Sequence, residues 1–283
     1  MAPFRFLLLL SPLLLFSCNK QQSETSSAPP SDHEHIAQVE AVQLTTETEA
    51  AKQATATFVL DTTGLSPEPD TPLKLLLEGT FHKGEVWRGA EKRQWLGLYH
   101  KNGDYVLRPA SLQVKTVEDP VVDNEGVLSG RKVVAADANA LFLLTGMDNI
   151  KAGEIDTAVI SRTTLAANKD LKYSFKGRDY FIQSYGDSTQ SSTGEYSYRN
   201  YGWKAVGRKG GKKIEQTLAE DESFDDSIYV LLWAGDLDRD GIPDLLLDLA
   251  NHYNVSRYTL FLSSKAEHGK LYRKAAVFEA VGC

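Results

Sequence analysis

From about residue 56 onward, short apolar runs rich in β-branched and aromatic residues are separated by Gly, Asn and Asp at intervals of roughly ten positions. Runs such as RQWLGLYH, KYSFKGRDYFIQSYG and RYTLFLSS are typical of strands. Asn102-Gly103 and Lys176-Gly177 lie between two such runs, where tight hairpin turns belong. The pattern predicts an all-β fold, an antiparallel sandwich or a barrel-like arrangement of sheets with short hairpins and little helix.

Helical periodicity is weak throughout the chain. Only two stretches are helix candidates, residues 40–53 and residues 139–144. The apolar pattern is interrupted near residues 147–153, and this break predicts a possible division of the β region into two parts. No internal repeat is visible, although a β-propeller requires one.

The N-terminus has the composition of a secretory leader. Arg5 precedes an apolar run from Phe6 to Phe16, and Cys18 follows shortly after it. A bilayer span needs about 20 apolar residues, so this shorter run indicates a signal peptide. An ordinary secreted protein cleaved nearby and an uncleaved anchor are the alternatives.

The end of this leader resembles the lipobox of bacterial lipoproteins, in the residues Leu15-Phe16-Ser17-Cys18. The resemblance implies that residues 1–17 are removed, that Cys18 carries a lipid, and that the protein is held at the membrane of a bacterial cell envelope. Asn19 stands where the inner-membrane retention signal has Asp, which favours the outer membrane over the inner one.

The segment that follows differs from the rest of the chain. Residues 18–55 are rich in Ser, Thr, Gln, Glu and Pro and almost without aromatic residues. Such a composition buries too little apolar surface to offset chain entropy, so we expect a disordered tether. The predicted organisation is a leader over 1–17, a lipidated cysteine and tether over 18–55, and a β-rich globular region over 56–283.

Composition limits the kinds of partner that the protein can bind and bears on whether a disulfide stabilises the fold. Of 283 residues, 42% are hydrophobic and 24% are charged, an ordinary balance for a soluble domain. The formal charge of −7 argues against nucleic acid as a partner. The two cysteines are Cys18 and Cys283, and a lipid on the first leaves the second without an internal disulfide partner.

The chemistry is concentrated in the stretch GDLDRDGIPDLLLD, from Gly235 to Asp248. Like charges at this density are costly unless a cation lies among them. Calcium prefers six to eight oxygen ligands, which carboxylates on alternate residues and one backbone carbonyl can supply around a glycine turn. The predicted ligands are Asp236, Asp238, Asp240, the carbonyl group of Ile242, and Asp244. An acidic hairpin turn without metal is the alternative.

The spacing D-x-D-x-D-G-x-x-D resembles the calcium loops of FG-GAP repeats in integrin-type propellers and related bacterial surface proteins. An EF-hand loop would have Glu where this chain has Leu247. The resemblance is confined to one copy of the loop, so it implies calcium ligation and neither a propeller fold nor adhesion. On the following strand, Leu245, Leu247 and Leu249 share one face, which we expect to enter the core.

These features together predict a non-enzymatic, membrane-anchored, calcium-stabilised protein that binds or scaffolds a glycan or a protein of the envelope. One alternative is a periplasmic hydrolase or glycan-processing enzyme that uses Asp248, His252 or the acidic segment of residues 220–226. Another is a carbohydrate-binding module, which would need one exposed platform of aromatic rings. The candidate rings are Trp87, Trp95, Tyr196, Tyr198, Tyr201 and Trp203.

Overall fold

The computed structural model describes residues 73–137 and 139–282. Within these ranges seventeen strands form four antiparallel sheets, and a 3₁₀ turn at Ala90–Lys92 is the one helical element. The prediction of an all-β, antiparallel fold with little helix is therefore confirmed. The predicted leader, the lipidation site at Cys18, the tether, the helix candidate at 40–53 and Cys283 lie outside the described residues.

Two sheets are built from the first half of the described chain. The N-terminal sheet has five strands, in the order β1 (Lys74–Leu76), β7 (Phe142–Thr145), β3 (Trp95–Lys101), β4 (Asp104–Ala110) and β8 (Gly153–Ile155). The small sheet has three strands, in the order β2 (Gly79–Phe81), β6 (Gly130–Ala135) and β5 (Leu112–Val117).

The second half forms the other two sheets. The outer sheet has the order β13 (Lys212–Ser223), β12 (Tyr196–Lys209), β11 (Arg178–Gln190), β10 (Asp170–Phe175) and β9 (Val159–Ile160). The central sheet is a meander of β14 (Val230–Gly235), β15 (Asp244–Asp248), β16 (Val255–Leu262) and β17 (Arg273–Val281). Three strands of the outer sheet, with 12 to 14 residues each, are longer than the short hairpins that the sequence predicts.

The central sheet contributes to two hydrophobic cores, because both of its faces are covered. Leu246 and Trp233 belong to a first core with residues of the N-terminal and small sheets. Leu245, Leu247 and Leu249 belong to a second core with residues of the outer sheet. Successive side chains of a strand point to opposite faces, so consecutive leucines on β15 serve both cores. The chain passes from the first core to the second between β8 and β9, and the predicted division near 147–153 stays a prediction.

The helix candidate at 139–144 is wrong, because this segment contains most of strand β7. Leu144 is paired with Leu75 of β1 on one side and with Leu96 of β3 on the other. Phe142, Leu143 and Leu144 are all fully buried. A short apolar run is compatible with a buried strand as well as with a helix, and here strand pairing on both sides decides. None of the helical structure in the described ranges is long and apolar enough to cross a bilayer.

Candidate metal centre

The acidic loop, residues 236–243, connects strands β14 and β15 at the point where Gly235 pairs with Asp244. Two residues of the loop have left-handed backbone conformations, Arg239 with φ 61° and Gly241 with φ 86°. Glycine adopts that conformation without steric cost, which suits Gly241 to the turn. Leu237 is buried in the first core, and Ile242 packs against the second. The loop is therefore held between both cores.

Three carboxylates of this region converge. Asp236, Asp238 and Asp244 each offer one oxygen within 4.8 Å of the others, and they are the one group of this kind in the described ranges. Asp236 is 2% exposed and Asp244 is fully buried, whereas Asp238 is half-buried. Three negative charges at this separation and burial repel one another strongly unless a cation or donors offset them.

Two of the carboxylate oxygens have no such donor. Oδ1 of Asp236 and Oδ1 of Asp238 are buried and accept no hydrogen bond in the structure. A buried acceptor without a partner costs about 1 to 3 kcal/mol, and more when it is charged. Both oxygens without a hydrogen-bond donor therefore belong to the three-carboxylate group, on the two residues that lie beside Asp244.

Asp244 forms the fixed base of the site. Its Oδ2 accepts a 2.9 Å hydrogen bond from the backbone N–H of Leu237, and its Oδ1 accepts one of 2.8 Å from that of Ser263. Burial raises the pKa of Asp244 well above its ordinary value, and the charge of Asp238 raises it further. The two backbone N–H groups only partly oppose these effects, so the carboxylate is a strong candidate for a cationic partner.

The pKa of Asp238 is also raised, chiefly by burial. The neighbouring charges of Asp240 and Asp236 act in the same direction, whereas a hydrogen bond from the hydroxyl group of Ser264 to Oδ2 opposes them. Asp238 thus has one oxygen bound by Ser264 and one oxygen left for another partner.

The other two predicted ligands meet at a serine. Asp240 is exposed and is not part of the three-carboxylate group. Its Oδ1 accepts the backbone N–H of Ile242 at 2.8 Å, and its Oδ2 accepts the hydroxyl group of Ser263 at 2.8 Å. The carbonyl oxygen of Ile242 accepts from the same hydroxyl group at 3.4 Å. The structure thus groups three of the five predicted ligands directly and brings the other two together at Ser263.

A lysine from the outer sheet lies at the rim of the site. Lys176, in the turn between β10 and β11, places Nζ 3.3 Å from Oδ2 of Asp236 and 2.7 Å from Oδ2 of Asp156. The hydrogen bond to Asp156 is the main cause of its raised pKa, and Asp236 adds to it. No sequence signal connects Lys176 with the loop, because 60 positions separate it from Asp236.

The loop contacts three parts of the fold. Arg239 donates to backbone carbonyl groups next to and within β8, Lys176 reaches the loop from the outer sheet, and Ser263 and Ser264 follow β16 of the central sheet. A cation bound among the carboxylates would therefore strengthen a point at which these segments are already joined.

The residues of the predicted enzyme alternative have local structural contacts. His252 Nε2 lies 3.0 Å from Oδ2 of Asp225, and its ring stacks on that of Tyr253. Oδ1 of Asp248 accepts backbone N–H groups of Ala250 at 3.1 Å and of Arg257 at 2.8 Å. Burial raises the pKa of Asp248. Nδ1 of His252 accepts the backbone N–H of Asn254 at 3.4 Å, so both side chains contact the backbone that follows β15.

The candidate rings for a carbohydrate platform do not share one exposed surface. Trp95, Tyr198, Tyr201 and Trp203 are buried in the cores. Trp87 is half-buried against the ring of Trp95, and Tyr196 is 54% exposed. Tyr201 and Trp203 are joined by a 2.6 Å hydrogen bond in the second core. The buried rings serve packing, as aromatic side chains in sheets usually do.

Comparisons of the chain with protein-family models, with curated proteins and with solved structures each find no match.

Proposed function

We propose that this chain is a lipid-anchored protein of the bacterial cell envelope whose β domain binds calcium in the acidic loop and has a binding or scaffolding role without catalysis. The observation that carries the calcium part is the pair of buried, unpartnered oxygens on Asp236 and Asp238, beside the buried carboxylate of Asp244. A cation would supply the partner that these oxygens lack.

The chemistry of the donors favours calcium over other metals. The carboxylates of the acidic loop and the carbonyl group of Ile242 are all oxygen donors, and the group contains no histidine or cysteine ligand. Zinc and copper prefer nitrogen and sulfur ligands. Magnesium demands a near-ideal octahedron and keeps several waters, whereas calcium tolerates an irregular set of six to eight oxygens.

Calcium bound here would be structural. Neutralising the carboxylates would remove their mutual repulsion, and the ion would bind the folded loop in preference to the unfolded chain, so it would raise stability. Calcium modules outside cells typically bind with Kd values of about 10⁻⁴ to 10⁻³ M, which suits an envelope protein exposed to external calcium.

The proposal of membrane anchoring rests on the leader sequence. A lipid on Cys18 would tether the domain to the membrane through residues 18–55. The test is metabolic labelling with a fatty-acid analogue. We expect label on the parent and none on Cys18→Ser, with the parent in the membrane fraction; label that persists in Cys18→Ser would contradict the anchoring site.

Calcium binding is tested by titration calorimetry on residues 19–283. We expect saturable binding of one ion to the parent protein and loss of binding in Asp238→Asn, since this variant keeps the shape of the side chain and removes its charge. Asp104→Asn, at the exposed first residue of β4, is the matched control and should bind like the parent. A parent protein that releases no heat and gains no thermal stability with calcium would contradict the proposal.

A further inference from the structure

A loop on the small sheet displays an unusual amount of apolar surface. This aliphatic loop, residues 119–129, connects β5 and β6. Eight large hydrophobic residues are exposed in the described part of the chain, and four of them lie in this loop. They are Val121 (52% exposed), Val122 (64%), Val127 (47%) and Leu128 (59%). Clustered exposed apolar side chains of this kind mark interaction sites more often than isolated ones do.

The conformation of the aliphatic loop is fixed by hydrogen bonds and does not depend on those side chains. Oδ2 of Asp123 accepts the backbone N–H groups of Asp119 at 2.8 Å and of Ser129 at 2.7 Å. Oδ1 of Asp119 accepts the N–H of Val121 at 3.1 Å, and its Oδ2 is bound to Nδ1 of His82. The loop is therefore a preorganised scaffold whose aliphatic side chains remain available for a partner.

The charges around the loop restrict the partner. Residues 118–130 contain Glu118, Asp119, Asp123 and Glu125 and no lysine or arginine. An anionic membrane surface would repel this segment. Charge complementarity instead favours an apolar surface with a cationic rim.

The outer sheet of the same chain has such a surface. Phe181 and Val206 form a cross-strand pair in a cavity of about 400 Å³. The charged residues that line it are Arg178, Asp179, Arg208 and Lys213, and Asp179 is paired with Lys172 at 2.8 Å, so the net charge of the lining is positive. We call this cavity the basic groove. Arg208 and Lys213 are directly opposite each other in the β12–β13 ladder. Like charges at such positions destabilise a hairpin. Glu215 lies 2.6 Å from Lys213 and offsets part of this repulsion, so Arg208 is the cation of the pair that an anionic partner would meet.

One molecule cannot join its own loop to its own groove. The small sheet belongs to the first core, through Leu112 and Val133. Phe181 and Val206 alternate with Tyr180 and Ala205, which point into the second core, so the groove lies on the far face of the outer sheet. The central sheet separates the two cores, so a contact between the loop and the groove requires two copies.

We propose that copies of this chain associate head to tail, with the aliphatic loop of one copy docked in the basic groove of the next. Such a contact is heterologous, so it leaves a free loop at one end and a free groove at the other, and it generates chains or rings. The contact is small and therefore weak in solution. Anchoring to a common membrane would raise the effective concentration of the copies. This inference does not rest on calcium binding.

Sedimentation velocity of residues 19–283 tests the proposal, in reducing buffer, from about 10 µM to about 1 mM, the range in which weak contacts form. We expect a sedimentation coefficient that rises with concentration for the parent. Val122→Asp in the loop and Arg208→Glu in the groove should each stay monomeric. Val159→Asp is the control, because Val159 is 76% exposed on β9 and is part of neither surface. Thermal melts confirm that each variant is folded.

Mixing the two monomeric variants distinguishes head-to-tail docking from symmetric contacts. The Arg208→Glu chain keeps an intact loop, and the Val122→Asp chain keeps an intact groove. The mixture should therefore form a dimer of one copy of each and nothing larger. A parent that stays monomeric over the whole range, or association that survives both variants, would overturn the proposal. So would a parent that binds neutral phosphatidylcholine vesicles through Val122 without associating with itself.

Discussion

Nη1 of Arg239 donates a 3.0 Å hydrogen bond to the carbonyl oxygen of Lys151, which lies 88 positions earlier in the chain. Nη2 of the same guanidinium group reaches the carbonyl oxygens of Ala152 and Glu154 at 3.3 Å. The one basic residue of the acidic loop is thus directed to the backbone next to and within β8. The loop is held in shape by this contact, and a preorganised loop binds a cation at a lower entropic cost.

Arg239→Ala should weaken calcium binding, because the loop loses the contact that orders it. Arg239 is exposed, and its hydrogen bonds to the backbone contribute about 1 kcal/mol, which corresponds to roughly a fivefold rise in Kd. Titration calorimetry checks this change, with Arg162→Ala as the control for loss of an exposed arginine. Equal affinities in the parent and in Arg239→Ala would show that the contact does not order the site.

Lys176→Met should strengthen calcium binding. The ammonium group lies 3.3 Å from Oδ2 of Asp236 and so competes with an incoming cation for the same carboxylate. Lys176 is 48% exposed, and an exposed ion pair contributes about 1 kcal/mol or less, so we expect a fall in Kd of roughly two- to fivefold. Lys172→Met is the matched control, because Lys172 pairs with Asp179 and not with the loop. A rise in Kd on removal of Lys176 would mean that it supports the site.

Tyr201→Phe should destabilise the second core. The hydroxyl group of Tyr201 accepts from Nε1 of Trp203 and donates to the carbonyl oxygen of Leu165, both at 2.6 Å. Its removal leaves both partners buried without a hydrogen bond, at a cost of about 1 to 3 kcal/mol in the free energy of unfolding. Urea unfolding measures the change. Tyr253→Phe, on a ring that is 63% exposed, should have little effect. If Tyr201→Phe lost no more stability than Tyr253→Phe, the hydroxyl group of Tyr201 would not stabilise the second core.

His82 should stabilise the fold more at acidic than at alkaline pH. Its hydrogen bond with Asp119 raises the pKa of His82 above 6.5 and holds the pKa of Asp119 below 3.8. The contribution of His82 is fully present below pH 6.5 and is lost as pH rises through its raised pKa. The contribution of Asp119 is present above pH 3.8 and is lost as pH falls through its lowered pKa.

Urea unfolding of the parent and of His82→Gln at several pH values checks this pH dependence. The loss of stability in the variant should be larger near about pH 5.5 than near about pH 9. In an Asp119→Asn background the pH dependence of that loss should become smaller, because only the charge of Glu85 still raises the pKa of His82. An equal loss at both pH values with Asp119 present would show that the pair contributes no electrostatic stability.

The fold class follows from the sequence because strand patterns and turn residues are local signals. The face of β15 that contains Leu245, Leu247 and Leu249 enters a core, as the alternation predicts. Leu246, on the opposite face, is also buried, because a second core covers that face. A local pattern cannot reveal how many sheets cover a strand, so the sequence does not predict the layered arrangement.

The spacing of its carboxylates predicts the acidic loop as a cation site, but no sequence pattern predicts which distant residues contact it. Lys176, Ser263 and Ser264 reach the loop from elements distant in sequence, and ordinary hydroxyl and ammonium side chains carry no signal of that role. The aliphatic loop carries no sequence signal for a different reason. Sequence patterns predict burial for valine and leucine, and only the structure shows that hydrogen bonds of Asp119 and Asp123 hold these residues at the surface.

The most direct test of the calcium site is the melting temperature of Asp238→Asn relative to the parent, in EDTA and in calcium. Without metal, the variant removes one of three crowded charges from a side chain whose pKa burial raises, so it should melt at a higher temperature than the parent. With saturating calcium, the parent gains the stability of the bound ion and should melt above the variant. The proposed calcium site predicts this reversal of order. The same order in both buffers, with the variant always more stable, would show that the loop is an acidic turn without a metal.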